Sequence, residues 1–109
     1  MALVDTGASH TCISANVIKD LGLTPRGKIP AYGVHGVGST NAYQFTVGFA
    51  FPQTQIASGA VMANLQTFQC DGMEFDMPGG GGFDVLLGRD IICKGVFSLS
   101  FDGHAIFSI

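Results

Sequence analysis

From Ala42 to Phe51 large and small residues alternate without a break. Tyr43, Phe45, Val47, Phe49 and Phe51 fall on one face of an extended chain, and Ala42, Gln44, Thr46, Gly48 and Ala50 on the other. A period of two held over this length predicts a strand with one apolar face. Sixteen glycines and nine phenylalanines in 109 residues suit a turn-rich β protein better than a helical bundle. The length is that of one domain, 1–109, with one modest core. With 47% hydrophobic and 12% charged residues, that domain carries unusually little charged surface.

Around this strand the sequence predicts short elements. Thr11 to Ile13 reads as a strand. Ser14 is placed to N-cap a helix over Ala15 to Leu21, which Gly22 closes. Pro25 to Pro30 reads as a linker, and Ala31 to His35 as the rising arm of a hairpin whose return is the alternating strand. A strand of unassigned register is expected around Ala60 to Phe68. Pro78 and Gly79 to Gly82 read as a loop. Phe83 to Leu87 predicts a buried strand, and Arg89 to Lys94 a short helix ending at Gly95. Val96 to Phe101 and His104 to Ile109 form a hairpin about Asp102-Gly103. No internal repeat is present.

A net charge of −3 with five basic residues leaves no polybasic patch, so nucleic acid is not an expected partner. No apolar stretch approaches a membrane span and no signal-peptide pattern opens the chain, so no membrane partner and a cytoplasmic location are expected. Cys12, Cys70 and Cys93 are odd in number and lack a Cys-x-x-Cys spacing. That argues against a disulfide framework and against a zinc site, and predicts buried free thiols in a reducing compartment.

Three motifs carry chemistry. In Ala2-Leu3-Val4-Asp5-Thr6-Gly7-Ala8-Ser9 an apolar run delivers one carboxylate onto a tight turn, where Gly7 permits close approach of backbone or substrate. Asp-Thr-Gly alone is also ordinary turn chemistry, with Asp5 as a turn cap. Near the other end, Phe83-Asp84-Val85-Leu86-Leu87-Gly88-Arg89-Asp90-Ile91-Ile92 runs an apolar strand into a polar turn. Between them lies the glycine-punctuated Gly33-Val34-His35-Gly36-Val37-Gly38-Ser39. Its G-x-x-G-x-G spacing with no following lysine does not fit a phosphate-cradling loop. This ordered trio resembles the retropepsin-like aspartic proteases, from Leu3 to about Phe101.

The resemblance implies a mainly β, single-lobe acid-protease barrel with a flap hairpin and one or two short helices. It makes Asp5 the catalytic carboxylate and Thr6 a support that hydrogen-bonds across a dimer axis. Gly7, Ala8 and Ser9, with Val34, His35, Gly36, Val37 and Gly38 of the flap, would contact substrate. Gly88, Arg89 and Asp90 would hold the catalytic loop. Two carboxylates sharing a proton can activate water and polarise a peptide carbonyl together. Asp-Thr-Gly occurs once here, and Asp71-Gly72 and Asp102-Gly103 lack the hydroxyl residue and are expected in turns. A second copy must then supply the second carboxylate, which predicts a homodimer acting on an extended peptide. No cofactor or metal is implied. Two departures stand out. Ser9 replaces the acidic residue that retroviral members pair with their arginine, which is closer to cellular and bacterial relatives and leaves the partner of Arg89 open. The family's one or two strands before the motif are missing from this chain. The alternative readings are a non-catalytic dimerisation or peptide-binding module of the same fold, and a processing domain cut from a larger polyprotein. His10, beside Ser9, either lines a specificity pocket or sits on the surface.

Overall fold

The computed structural model describes residues 1–33, 36–55, 61–75 and 82–109. Its strands are β1 (Ala2–Val4), β2 (Cys12–Ser14), β3 (Lys28–Gly33), β4 (Gly36–Gln55), β5 (Val61–Phe75), β6 (Val85–Leu87), β7 (Val96–Leu99) and β8 (Ala105–Ser108), with helices α1 (Ala15–Leu21) and α2 (Arg89–Ile92). The architecture is mainly β. Six strands form one curled sheet in the order β1-β6-β2-β5-β4-β3, and among the described residues β7 pairs only with β8. This is the single-lobe, half-barrel form that the sequence motifs imply.

The insertion of β6 between β1 and β2 governs the rest. β1 runs parallel to β6, with Leu3 opposite Leu86 and Val4 opposite Leu87. β2 returns antiparallel on the other side of β6, with Cys12 opposite Leu86. The chain from Asp5 to Thr11 therefore has to cross the end of β6.

The alternating strand forms within β4. Tyr43 and Phe45 are buried, Val47 and Phe49 are half-buried, and Phe51 is exposed. Burial fades along the strand because β4 and β5 pair far beyond the part of the sheet that Ile13, Leu87 and Ile91 cover. Phe49 meets Phe68 edge-on at 6.3 Å and Phe107 at 5.5 Å, and the second contact ties the β7–β8 hairpin to the main sheet. The register slips between Phe51 and Thr54, a stretch that contains Pro52, which has no N–H to give a ladder. A radius of gyration of 16.2 Å exceeds the value of about 13 Å for a compact chain of this length. Only eight apolar side chains among the described residues are buried, so the core is small for the sheet it supports.

Local signals of α1 match its geometry. The Ser14 hydroxyl accepts from the Val17 N–H at 3.4 Å, and Gly22 takes the left-handed conformation at φ 64°. The same Ser14 hydroxyl donates to Asp84 Oδ1 at 3.2 Å, which joins the helix start to the entry of β6.

Four expectations need correction. The Pro25–Pro30 segment is not all linker, because β3 begins at Lys28 and pairs with β4 from Asn41. β3 is the edge of the sheet, where a strand tolerates proline. β5 extends to Phe75, well past Phe68, so Asp71-Gly72 lies inside a strand and not in a turn. Thr11 belongs to the loop, and β2 starts at Cys12. Cys12 and Cys70 are buried but Cys93 is exposed, because Ile91 and Ile92 take the inward side of the short α2 and Cys93 caps its outer end. Val34 and His35, Ala60, and the glycines of 79–81 lie outside the described residues.

Gly72 explains itself by contact rather than by conformation. A Cβ there would stand 2.4 Å from the Thr11 carbonyl oxygen and 2.6 Å from the Phe45 ring. Replacing Gly72 with alanine is expected to destabilise the fold by about 1–3 kcal/mol, the usual effect of overpacking, read as a lower urea midpoint. A midpoint equal to wild type would mean that β2 and β5 are not packed this closely.

Candidate active site

The crossing chain is built around Asp5. Its N–H donates to the Leu87 carbonyl at 3.0 Å, which extends the β1–β6 pairing by one bond, and its carbonyl accepts from the Ala8 N–H at 3.2 Å, which closes the turn. The Gly7 N–H donates to Asp5 Oδ1 at 2.9 Å and fixes the carboxylate plane. A side chain at position 7 would begin 3.2 Å from that oxygen. Asp5 is half-buried while Thr6 and Gly7 are exposed, so the carboxylate sits at the base of a turn whose tip is open.

Beneath the turn lies a polar lock. Thr11 is fully buried. Its hydroxyl donates to Asp90 Oδ1 at 2.7 Å and accepts from the Gly88 N–H at 3.1 Å, and its N–H donates to Asp90 Oδ2 at 3.0 Å. The Ile91 N–H adds a third donor to the Asp90 carboxylate at 2.9 Å. The Arg89 N–H donates to the Ala8 carbonyl at 2.8 Å, so α2 also holds the turn from its far side. Gly88 has no alternative here. A Cβ on it would stand 2.5 Å from the carbonyl carbon of His10 and 2.9 Å from the Thr11 nitrogen. The Cys12 thiol, next in sequence, is pushed up to about 11, first by burial and then by the negative charges of Asp90 and Asp5.

The structure thus brings Asp5, Thr6, Gly7, Ala8 and Ser9 together with Gly88, Arg89 and Asp90. Arg89 is exposed and, among the described residues, forms no ion pair; the Ser9 hydroxyl lies 3.0 Å from His10 Nδ1 instead. Of the hairpin residues, Gly36, Val37 and Gly38 open β4 opposite Gly33, Tyr32 and Ala31, and no hydrogen bond among the described residues joins them to the Asp5 turn. Pro30, on β3 of that hairpin, lines a groove of about 400 Å³ together with Gly7, Ala8, Ser9 and His10.

The family model described as Aspartyl protease matches residues 1–91. The chain belongs to the retropepsin-like aspartyl protease family. No curated protein and no solved structure matches it. The matched span takes in the Asp5 turn and the Gly88–Asp90 turn, the two segments that the Thr11 network ties together.

One residue of the candidate site was not singled out from sequence. Thr11 is a lone threonine beside a strand, and its partner is 79 positions away, so no local pattern marks it. His10 is exposed, as the surface alternative holds, yet it also borders the groove.

Thr11→Val keeps the shape but removes a buried donor and acceptor. The Gly88 N–H and one Asp90 oxygen are then left without that partner, and the expected loss is about 1–3 kcal/mol of stability, measured by denaturant unfolding. A loss near zero would mean that the lock does not hold the turn.

Proposed function

We propose that the protein is an aspartic endopeptidase whose catalytic dyad forms from the Asp5 carboxylates of two copies. The observation that carries this reading is the Asp5 turn itself, a half-buried carboxylate oriented by the Gly7 N–H and anchored to β6, on a loop with an open tip. The other described carboxylates are engaged or remote. Asp90 is bonded by Thr11, Asp84 by Ser14 and Asp102 by His104, Glu74 lies within reach of the Tyr43 hydroxyl, and Asp20 on α1 and Asp71 on β5 are exposed.

In the dyad, two carboxylates close together cannot both ionise, so they share one proton. The ionised one takes a proton from water as the water oxygen bonds to the scissile carbonyl carbon. The protonated one donates to the carbonyl oxygen. Collapse of the tetrahedral intermediate then breaks the carbon–nitrogen bond: the first carboxyl passes the proton it took from water to the leaving nitrogen, and the second takes back a hydroxyl proton as the product carboxyl forms, which restores the singly protonated dyad. Thr6, exposed at the tip, would meet its counterpart in the second copy, and Gly88, Arg89 and Asp90 would keep the turn rigid beneath it. Gly7, Ala8 and Ser9, and residues 34–38 of the hairpin, would line the peptide path.

Pairing of two copies is supported by apolar surface. Leu3 and Val4 on β1, immediately before Asp5, are exposed, as are Val96, Leu99 and Ile106 on the β7–β8 hairpin. Surfaces of this kind mark association sites.

The test is digestion of an unfolded protein across mildly acidic pH by wild type and Asp5→Asn. The carboxamide keeps the shape but cannot share the proton, and a loss of at least about a hundredfold is expected. Specific activity should rise with protein concentration, in step with the dimer fraction seen by sedimentation. Equal cleavage by both proteins would remove Asp5 from the chemistry. Cleavage by neither would favour the non-catalytic binding module.

A further inference from the structure

From Gly36 to Cys70 the chain carries no Asp, Glu, Lys, Arg or His. That run supplies β4 and most of β5, which pair with each other from Ala42 opposite Met73 out to Gln55 opposite Val61. Among the described residues no third strand joins them over this length. β3 leaves β4 at Asn41, and β2 meets β5 only from Met73 to Phe75. The outer part is therefore a two-stranded ribbon, a form that is marginal in water by itself. Both of its edges present backbone groups that another strand can pair with.

The bonds at the base of the ribbon set the direction of those groups. The Ala42 N–H donates to the Gly27 carbonyl at 2.9 Å, and the Met73 N–H to the Thr11 carbonyl at 3.2 Å. Both residues thus turn away from the β4–β5 ladder, and residues of the same parity do likewise. On the β4 edge these are Gln44, Thr46, Gly48 and Ala50; on the β5 edge they are Asp71, Gln69, Thr67 and Leu65. The two edges are not alike. At one end of the β4 edge the Arg26 guanidinium donates to the Gln44 side chain at 2.8 Å, and at the other Pro52 has no N–H to offer. Proline and charge are how edge strands are guarded. On β5 neither stands between Val61 and Cys70. Leu65, Gln66, Thr67 and Gln69 are exposed, and no backbone bond among the described residues engages the outward groups of Leu65, Thr67 and Gln69.

The strand that fits this edge is another β5. In antiparallel pairing about a two-fold axis at Thr67, that residue lies opposite its own copy and Leu65 lies opposite Gln69. Each outward N–H then faces an outward carbonyl. No side chain from Leu65 to Gln69 is charged, so the axis brings no like charges together, and a charged partner strand would find no counter-charge here. Threonine opposite threonine is a favourable cross-strand pair.

We propose that the free edge of β5, Leu65 to Gln69, binds the same edge of a second copy and joins two ribbons into one four-stranded sheet. Leu65 stands roughly 26 Å along the strand from Met73, which borders the groove beside the Asp5 turn. The contact is therefore separate from that turn and does not rest on the protease reading.

Thr67→Lys and Thr67→Glu each set like charges opposite one another across the axis, and an equimolar mixture sets opposite charges there. By sedimentation, wild type is expected to have about twice the mass of either variant, and the mixture to return to the wild-type mass. That ratio holds whether the charge splits a pair of monomers or a pair of Asp5-centred dimers. Amide exchange reads the same contact by residue. The Leu65, Thr67 and Gln69 N–H groups should exchange at least about tenfold faster in Thr67→Lys than in wild type. The Gln66 and Phe68 N–H groups face β4 and should stay slow in both, which also shows that the variant is folded. Equal masses for wild type and variants, a mixture that stays at the variant mass, or edge amides that exchange fast in wild type overturns the inference.

Discussion

The crossing of residues 5–11 over the end of β6 is the constraint on which the site depends. A chain can pass that closely over a strand end only if the strand end has no side chain, and Gly88 meets the requirement. The crossing backbone must also satisfy its buried polar groups, and here the Asp90 carboxylate accepts from Thr11 twice and from Ile91 once. Lock and turn are one device. The Asp5 N–H is held by β6, the Ala8 carbonyl by α2, and the threonine beneath by both, so the carboxylate has little freedom to move apart from the sheet. A shared-proton dyad needs that rigidity, because its chemistry depends on the spacing of two oxygens.

The electrostatics follow from the same arrangement. Asp90 and Asp5 both push the Cys12 thiol up, which places two carboxylates within range of one buried side chain. They differ in what satisfies them. Asp90 is saturated by donors inside the fold, whereas Asp5 receives one backbone N–H and faces an open turn. The first carboxylate is spent on structure, and the second is left with accepting capacity for a water or a substrate.

Much of this was legible in the chain. Period-two alternation located β4, a serine and a glycine bounded α1, and Asp-Gly marked the β7–β8 turn, because each is a local signal read over a few residues. The two motifs of the site were legible as well, although only their order linked them. What could not be read is non-local. Asp71-Gly72 looks like a turn, yet Gly72 is there because the Thr11 carbonyl and the Phe45 ring approach it from other strands. The same reason hid Thr11. The groove is harder still, since Pro30, Met73 and His10 come from three separate segments and share no pattern.

The small core bears on how the site is completed. An extended sheet that buries eight apolar side chains among the described residues leaves Leu3, Val4, Leu99 and Ile106 in solvent. Burying such surface is favourable by roughly 25 cal/mol per Å², so a second copy laid against β1 and the β7–β8 hairpin would gain stability that one copy cannot reach alone. β1 ends where Asp5 begins. On the proposed reading, the strand whose apolar residues favour association also carries the carboxylate that needs a partner. Stability and catalysis then draw on the same contact, and a substitution at Leu3 or Val4 that weakens pairing would separate the two Asp5 groups without touching either.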